Sequence, residues 1–205
     1  MRLWSSLYGQ FRQPHGFLGH VAGLIMSSRA SNKKRNAWTV DVLDVKDTDE
    51  ILEFGCGPGL ALAQCALQLK GGHLVAIDHS KLMLKYSKAR LARLALKDVT
   101  VDFREGGLEQ LEQFEARFDK IYAINVIQFF EDKQSALGAF KGALKPGGRL
   151  VITYMPRNRN ATPKDAKAMS DQLVERMTSA GFEDIQALKL PLNPIPAICV
   201  AGRCP

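Results

Sequence analysis

The sequence predicts an α/β domain built on a doubly wound, mainly parallel sheet, with an antiparallel pair of strands at its C-terminal end. The first observation is that five short apolar segments alternate with segments of helical periodicity between residues 50 and 180. The second is a proline-rich stretch, 191–196, which joins two further apolar segments at 184–190 and 197–201. Because this stretch is too short to contain a crossover helix, the last two strands are predicted to run antiparallel.

The 205 residues are predicted to form one domain, 1–205, with an N-terminal helical segment (1–46) ahead of the sheet core (47–205). A composition of 46% hydrophobic and 24% charged residues is that of a globular protein. The net charge of +7 is not concentrated enough to indicate a nucleic-acid partner. Residues 1–30 are apolar, and their pattern leaves two interpretations open: packing on the edge of the domain, or a lid over the ligand site.

The cysteines argue against a metal site, because none of the four forms a C-x-x-C pair and no histidines cluster near them. Dispersed thiols suit a reducing compartment, so we expect a cytoplasmic protein without a metal. The apolar stretch 17–26 is too short for a membrane span, and its glycines argue against a signal peptide.

Caps and breakers place the helices and strands along the chain. Ser31 or Asn32 is the expected N-cap of a short helix before the first strand, and the basic triplet 33–35 is interpreted as its solvated start, with an anion site as the alternative. Ser80 is the expected cap of a later helix, and Thr162 with the following proline opens the last one. The predicted strands are 51–54, 73–77, 99–103, 118–124 and 149–154, and the predicted helices are 60–67, 81–96, 135–144 and 163–180. Glycine-containing stop signals follow three of these helices, at 70–72, 145–148 and 181.

The turn from Glu53 to Gly59 is the strongest single signal in the chain. A short apolar strand runs into glycines at every second position, and a helix opens directly from the last of them. Glycine lets the backbone approach a ligand closely because it carries no Cβ. The helix N-terminus adds unpaired N–H groups above the turn. The turn is therefore predicted to hold a cofactor.

Three further residues follow strands of the predicted sheet: Asp78, Gly107 and Asn125. In an open α/β sheet, ligands bind outside the carboxyl ends of the strands, near the point where the strand order reverses. All three residues and the glycine turn would lie on that edge, which predicts one shared site.

Two classes of cofactor are bound by a Gly-rich turn followed by an acid about 20 residues on: dinucleotides and S-adenosylmethionine. The dinucleotide fingerprint needs a small residue at position 60, where this chain has Leu60. Glu53 ends the strand directly before the turn, where an acid is unfavourable for a pyrophosphate and favourable for an ammonium group. These residues favour S-adenosylmethionine.

With these segments in view, the chain resembles the class I S-adenosylmethionine-dependent methyltransferases of the small-molecule type. The matching segments are LEFGCGPG (52–59), AIDHS (76–80) with Met83 and Leu84, FDKI (118–121) and LKPGG (144–148), in the family's order and spacing. The resemblance implies a Rossmann-like, seven-stranded sheet and transfer of a methyl group from the sulfonium of S-adenosyl-L-methionine to a small-molecule acceptor.

The resemblance also implies roles at the methionyl end of the donor. Glu53 would hold the ammonium group, directly or through water. Gly55, Cys56 and Gly57 would supply backbone around the methionyl and ribose parts. Asn125 would lie under the sulfonium, beside the acceptor.

At the other end of the donor, the resemblance implies that Asp78 accepts hydrogen bonds from the ribose hydroxyls. His79 and Met83 would flank the adenine. Many relatives have an acid that binds the adenine amine at the position of Gly107. This chain has a glycine there instead of an acid, so we expect the backbone and packing of Leu108 to contact the adenine in place of that side chain.

The acceptor pocket is expected between residues 1–30, the turn 125–130 and the loop 156–162. Gln128, Phe129 and Phe130 would give it an aromatic, weakly polar character, although aromatic residues after a strand are more often core residues. Arg157 and Arg159 would either meet an anionic substrate or be solvated.

No residue is identified as a catalytic base. His15, His20 and Tyr154 are candidates by residue type, and a structural role is the preferred interpretation for each. Two alternative functions remain open: a catalytically inactive protein that binds S-adenosylmethionine, and an RNA or protein methyltransferase, which the positive net charge suggests.

Overall fold

A computed structural model of the protein describes residues 30–94, 96–158 and 160–205. The helices of this part are α1 (Ala30–Leu43), α2 (Leu60–Gln68), α3 (Lys81–Leu91), α4 (Lys133–Ala143) and α5 (Pro163–Ser179). The strands are β1 (Glu50–Phe54), β2 (His73–Asp78), β3 (Thr100–Glu105), β4 (Phe118–Ile124), β5 (Leu144–Tyr154), β6 (Glu183–Leu190) and β7 (Ala197–Arg203). Short 3₁₀ helices follow β3 (Leu108–Leu111) and β4 (Ile127–Phe129). Within the described ranges, no helix is both long and apolar enough to cross a membrane.

The predicted sheet is confirmed. Seven strands lie in the order β3-β2-β1-β4-β5-β7-β6. The first five strands are parallel, and β7 is antiparallel to both of its neighbours, β5 and β6. The strand order reverses between β1 and β4, so the carboxyl ends of these two strands form the switch point at which such sheets bind ligands.

The two faces of the sheet are covered by different helices, as alternation along the strands requires. Leu52 and Phe54 of β1 belong to the core cluster that includes residues of α4 and α5. Ile51 belongs to the second cluster, with residues of α1, α2 and α3. Glu53 follows Ile51 on this second face and is 2% exposed.

The start of α1 differs from the prediction. Ser31 and Asn32 are helical residues, so neither is the N-cap. Polar side chains on the buried face are satisfied by carbonyl groups one turn earlier: Asn36 Nδ2 donates to the Asn32 oxygen at 2.6 Å, and Thr39 Oγ1 to the Arg35 oxygen at 2.9 Å. Arg35 is 7% exposed, so the solvated interpretation of the basic triplet is wrong for this residue.

Several other boundaries also differ. The helix predicted over 81–96 ends at Leu91, because the N–H groups of Arg93 and Leu94 bond three residues back rather than four. Helix α4 begins at Lys133 because Asp132 caps it, accepting the N–H of Ser135 at 3.0 Å. Two predicted stop signals do not end a helix. Helix α2 ends at Gln68, before the signal at 70–72. The signal at 145–148 lies within β5, where the backbone of 147–148 bonds to that of Cys204.

Candidate functional site

The glycine turn after β1 lies at the switch point, and its backbone N–H groups are already bonded. Gly55 and Cys56 both donate to the Ile77 oxygen, at 2.8 and 3.1 Å. Gly57 donates to Oδ2 of Asp78 at 2.8 Å. These three N–H groups are therefore not free to bind an anion, a result that disfavours a phosphate ligand at the turn and agrees with the preference expected from Glu53.

Gly55 and Gly57 both have left-handed backbone conformations, with φ of 74° and 52°, but their surroundings differ. A Cβ built on Gly55 would lie 2.4 Å from Cγ2 of Val126, so a side chain is excluded by packing. A Cβ on Gly57 would meet nothing within 4 Å. The turn is thus packed against the protein at Gly55 and faces open space at Gly57.

Helix α3 supports the same turn. Arg90 Nε donates to the Pro58 carbonyl at 2.8 Å, and a Cβ on Gly59 would lie 2.4 Å from Oγ of Ser87. The predicted cap is confirmed, since Ser80 Oγ accepts the N–H of Met83 at 3.4 Å. The basic helix α3 therefore uses at least one of its cations, Arg90, to hold the turn.

Asp78 connects the glycine turn with the start of α3. Its Oδ2 accepts from Gly57 and its Oδ1 accepts from the N–H of Ser80 at 2.9 Å. The carboxyl is 6% exposed, and burial raises its pKa against the effect of these two N–H bonds. Each oxygen still has a second lone pair, so the group is held in a fixed position and can accept further hydrogen bonds.

Glu53 lies on the α1–α3 face of the sheet, beneath the turn. Tyr122 of β4 donates its hydroxyl to Glu53 Oε2 at 2.8 Å, and the Leu62 N–H of α2 also bonds to the carboxyl. Burial raises the pKa of Glu53 to about 8, and the charge of Asp78 adds to the shift. This buried position disfavours direct contact between Glu53 and a ligand. Of the two predicted ways of holding an ammonium group, it favours the one through water.

Asn125 follows β4 with a φ of 56°. Its side chain forms a two-bond clamp on Met155, the residue after β5: Oδ1 accepts the Met155 N–H at 2.8 Å and Nδ2 donates to the Met155 oxygen at 3.1 Å. The predicted location at the carboxyl edge is confirmed by the strand order. The side chain, however, bonds both backbone groups of Met155 and thereby joins the ends of two strands.

Gln128 is a further polar residue of this edge. Its Nε2 donates to the Asn125 carbonyl at 2.7 Å. The other polar atom of the amide, Oε1, is buried without a hydrogen-bond partner among the described residues. Phe130 packs against the core, with its ring 5.8 Å from that of Phe54, which favours the core interpretation for this residue.

The remaining predicted contacts at the adenine end differ in accessibility. His79 is half exposed, with Nδ1 3.9 Å from Oδ1 of Asp78, whereas Met83 is 1% exposed. Leu108 packs against the core beneath its 3₁₀ helix. Of these three residues, His79 has an exposed side chain, Leu108 is partly buried and Met83 is fully buried.

Glu109 was missed by the sequence analysis. Its Oε1 accepts the Gly107 N–H at 2.6 Å, and a Cβ on Gly107 would lie 2.9 Å from its Oε2. The carboxylate thus occupies the space into which a Gly107 side chain would project. The missed signal was an acid two residues beyond the position where the motif expects one.

Arg35 was also missed as a site residue. It lies on the buried face of α1, with Nη1 3.8 Å from the sulfur of Met155, and its Nε has no partner among the described residues. Burial and the nearby charge of Arg157 lower its pKa to about 9. The sequence signal was the basic triplet, for which the anion site had been the alternative interpretation.

Other predicted residues lie elsewhere. Cys56 packs in the α1–α3 core, where burial raises the pKa of its thiol well above the usual value. Tyr154 is half-buried against the α4–α5 core. The base candidates His15 and His20, the residue Arg159 and the lid proposed for the N-terminal segment up to residue 29 lie outside the described residues.

The sequence matches a family model described as a methyltransferase domain over residues 52–150. An uncharacterized methyltransferase, YdaC of Bacillus subtilis (strain 168), is 33% identical over 185 residues, which cover 90% of this chain and 98% of YdaC. A ubiquinone biosynthesis O-methyltransferase of Alkalilimnicola ehrlichii is 35% identical over 109 residues. That match covers 53% of this chain and only 42% of the relative.

Solved structures show the same fold at low sequence identity. One is the N-methyltransferase NodS of Bradyrhizobium japonicum WM9 in complex with S-adenosylhomocysteine, with a TM-score of 0.69 at 17% identity. The match covers 88% of this chain and 90% of the NodS chain. Phosphoethanolamine N-methyltransferase 2 of Haemonchus contortus has a TM-score of 0.64 at 17% identity, covering 84% of this chain and 52% of that chain.

Proposed function

Because this chain belongs to the S-adenosylmethionine-dependent methyltransferase family, we propose that it transfers a methyl group to a small-molecule acceptor bound at the carboxyl ends of β4 and β5. The observation that carries the proposal is the fixed carboxylate of Asp78. It is held by N–H groups of the glycine turn and of α3 and keeps a free lone pair on each oxygen. A pair of vicinal hydroxyls, such as those of a ribose, matches this arrangement.

The residues of the turn fit the donor on two grounds. Gly57 faces open space, so the backbone there can lie against a ligand. The N–H groups of Gly55, Cys56 and Gly57 have acceptors within the protein, which suits a cationic donor better than a phosphate. Through Tyr122 and Leu62, Glu53 is held below this turn and would act on the ammonium group through an intervening water.

Arg35 would bind the carboxylate of the methionyl group. It is a buried cation whose Nε lacks a partner in the described part of the chain, and leaving such a donor unpaired is costly. It lies beside Met155, which the Asn125 clamp joins to the end of β4. A carboxylate there would satisfy the guanidinium with a charge-assisted hydrogen bond.

At the adenine end, we assign recognition of the exocyclic amine to Glu109, together with the backbone of Leu108. The support is that the Glu109 carboxylate fills the space of the absent Gly107 side chain. The exposed ring of His79 would stack on one face of the adenine. Met83 would contribute from the core side, as part of the floor of the pocket.

Bound S-adenosylmethionine supplies a methyl group on a sulfonium, which is already a strong electrophile. The residues of this chain then have to orient donor and acceptor in line and keep water away. The Asn125 clamp fixes the ends of β4 and β5 relative to each other. The unpartnered Oε1 of Gln128 would accept an N–H or O–H of the acceptor, which orients the attacking atom.

The names of the relatives support methyl transfer without selecting an acceptor atom. They include O-methyltransferases of ubiquinone biosynthesis and of a malonyl-acyl-carrier protein, and N-methyltransferases of phosphoethanolamine. The acceptor atom therefore has to be determined by experiment.

Calorimetry with S-adenosylmethionine, S-adenosylhomocysteine and NADH tests the donor. We expect the first two to bind and NADH not to bind; binding of NADH alone would contradict the proposal. Release of S-adenosylhomocysteine is then measured with a panel of small amines, phenols and acids, and in parallel with RNA and a protein mixture. Turnover confined to RNA or protein would contradict the small-molecule assignment, and donor binding without any turnover would favour an inactive binding protein.

A further inference from the structure

Two arginines at the carboxyl edge of the sheet, Arg35 and Arg157, are near enough for the charge of Arg157 to lower the pKa of Arg35. Arg157, in the loop after β5, donates from Nη2 to Oδ1 of Asn32 on α1. Arg35 follows Asn32 by three positions, and residues with this spacing are neighbours on one helix face. Arg35 in turn contacts Met155, two residues before Arg157. The helix and the loop therefore bring the two cations together.

Within the described part of the chain, the positive charge of Arg35 is not balanced by an acid. The side chain of Arg35 is 7% exposed. Among residues 30–94, 96–158 and 160–205, its Nε has no hydrogen-bond partner and no salt bridge includes it. Holding a second positive charge next to a buried guanidinium is unfavourable unless an anion joins them. Consistent with this, burial and the charge of Arg157 together lower the pKa of Arg35.

The pair adjoins the reaction centre rather than a remote surface. Both backbone groups of Met155 are held by the Asn125 side chain at the end of β4. Arg157 follows Met155 by two residues, in the loop that begins at this strand end. An anion between the guanidinium groups would therefore lie beside the position assigned to the sulfonium.

The donor supplies one carboxylate for this pair, together with two positive charges on its ammonium and sulfonium groups. The acids assigned to the donor site are Asp78 and Glu109, which would supply two negative charges, and Glu53, which in the free protein keeps its proton up to a pH of about 8. The two guanidinium groups and the donor's single net positive charge exceed these two negative charges. With the donor bound, the site therefore stays net positive, and an acceptor that carries an acid group would balance it.

We propose that Arg157 binds an acid group of the acceptor, a carboxylate or a phosphate, so that the substrate of this enzyme is an anionic small molecule. This inference rests on the proposed function, because it takes the donor's carboxylate to occupy Arg35. The competing interpretation is that Arg157 only anchors the loop to Asn32. That interpretation predicts a change in stability without any change in anion binding.

The test is anion-dependent stabilisation of the protein saturated with S-adenosylhomocysteine, in which the carboxylate on Arg35 is already supplied. Unfolding temperatures are measured with inorganic phosphate and, separately, acetate, each against chloride at equal ionic strength. At about ten times its Kd, a bound anion should raise the unfolding temperature by about 3 °C. A rise in the unfolding temperature with phosphate alone indicates a phosphate monoester as the acceptor. A rise with acetate alone indicates a carboxylic acid.

Arg157→Gln should abolish that anion shift, and Arg157→Lys should retain part of it because the charge remains. Arg203→Gln is the matched control, because Arg203 bonds to the Gly147 carbonyl at the opposite, amino edge of the sheet. An equal shift in wild type and Arg157→Gln, or no shift beyond chloride in the wild type, would overturn the inference.

The same titrations without S-adenosylhomocysteine separate the two proposals. If S-adenosylhomocysteine itself fails to stabilise the protein, the donor assignment is wrong, and the comparison of Arg157→Gln with wild type still reports on the anion site. In the turnover assay, each acid acceptor is paired with its uncharged amide. The acids should be preferred at least tenfold in the wild type, and Arg157→Gln should reduce that preference mainly through KM.

Discussion

Tyr122 and Glu53, on neighbouring strands, form a buried hydrogen bond of 2.8 Å directly beneath the glycine turn. The tyrosine oxygen also accepts the thiol of Cys65 at 3.5 Å, so a chain of polar groups crosses the α1–α3 core. Because the carboxyl is desolvated, its pKa is raised to about 8 even though the Tyr122 bond favours the ionised form. The acid below the donor site is therefore neutral in the free protein at neutral pH.

The first prediction follows from that pKa. In the native state Glu53 keeps its proton up to a pH of about 8, whereas in the unfolded chain it loses the proton near 4.5. Unfolding between these values releases a proton, so the free energy of unfolding contributed by Glu53 should fall as the pH rises from about 4.5 to 8, and level off above it. Thermal unfolding of wild type and Glu53→Gln across this range measures the difference. Glu175→Gln, at an exposed position of α5, is the control; a parallel slope in wild type and Glu53→Gln would contradict the prediction.

The second prediction concerns the carboxylate of Asp78. Asp78→Asn should weaken binding of S-adenosylhomocysteine by more than tenfold, because an amide offers one acceptor oxygen where the carboxylate offers two. Calorimetry measures the affinity, and far-UV circular dichroism checks that the fold is kept. Asp102→Asn removes an acid that bonds to Arg104 on β3 and should leave the affinity unchanged. An unchanged affinity in Asp78→Asn would show that the ribose site is misplaced.

The third prediction separates two glycines of the same turn. Gly55→Ala should be strongly destabilising, since its Cβ would lie 2.4 Å from Val126, and Val126→Ala should recover part of the loss. Gly57→Ala has no such clash and should cost only the left-handed strain, roughly 1–2 kcal/mol. It should nevertheless weaken donor binding, because the methyl group enters the space assigned to the ligand. Denaturant unfolding and calorimetry test the two effects separately, and normal donor affinity in Gly57→Ala would place the ligand elsewhere.

The fourth prediction concerns the clamp between Asn125 and Met155. Asn125→Gly removes two hydrogen bonds and should lower the free energy of unfolding by about 1–3 kcal/mol. Asn125→Ala removes the same bonds but keeps a Cβ at a φ of 56°, a strain that Asn125→Gly relieves, so the Ala variant should be about 1 kcal/mol less stable than the Gly variant. Urea unfolding of the two variants isolates this difference. Equal stability of the two variants would mean that the backbone relaxes and that the clamp does not depend on the left-handed conformation.

Local patterns predicted most of the fold. The cap at Ser80 and the helix start at Thr162 with its following proline were readable, because each depends on residues within one turn of a helix. The end of α3 and the start of β5 were not. Gly147 and Gly148 look like a stop signal until Cys204, at the far end of the chain, pairs with them.

The candidate site was predicted to the level of positions but not of contacts. Asp78 and Asn125 were placed on the right edge, because strand ends can be read from apolar segments and parallel strands share an edge. That Asn125 bonds to Met155, and that Glu109 fills the space beside Gly107, could not be read, because both depend on side-chain directions in loops.

By itself, the sequence determined the order of strands and helices, the glycine turn and the class of donor, since periodicity, caps and motif spacing are encoded by neighbouring residues. Only the tertiary structure decided which groups remain available for chemistry. It commits the N–H groups of the turn to Ile77 and Asp78, buries Glu53 as a neutral acid, and turns Arg35 inward beside Arg157. These are properties of desolvation and of contacts between residues far apart in the chain, which no local pattern contains.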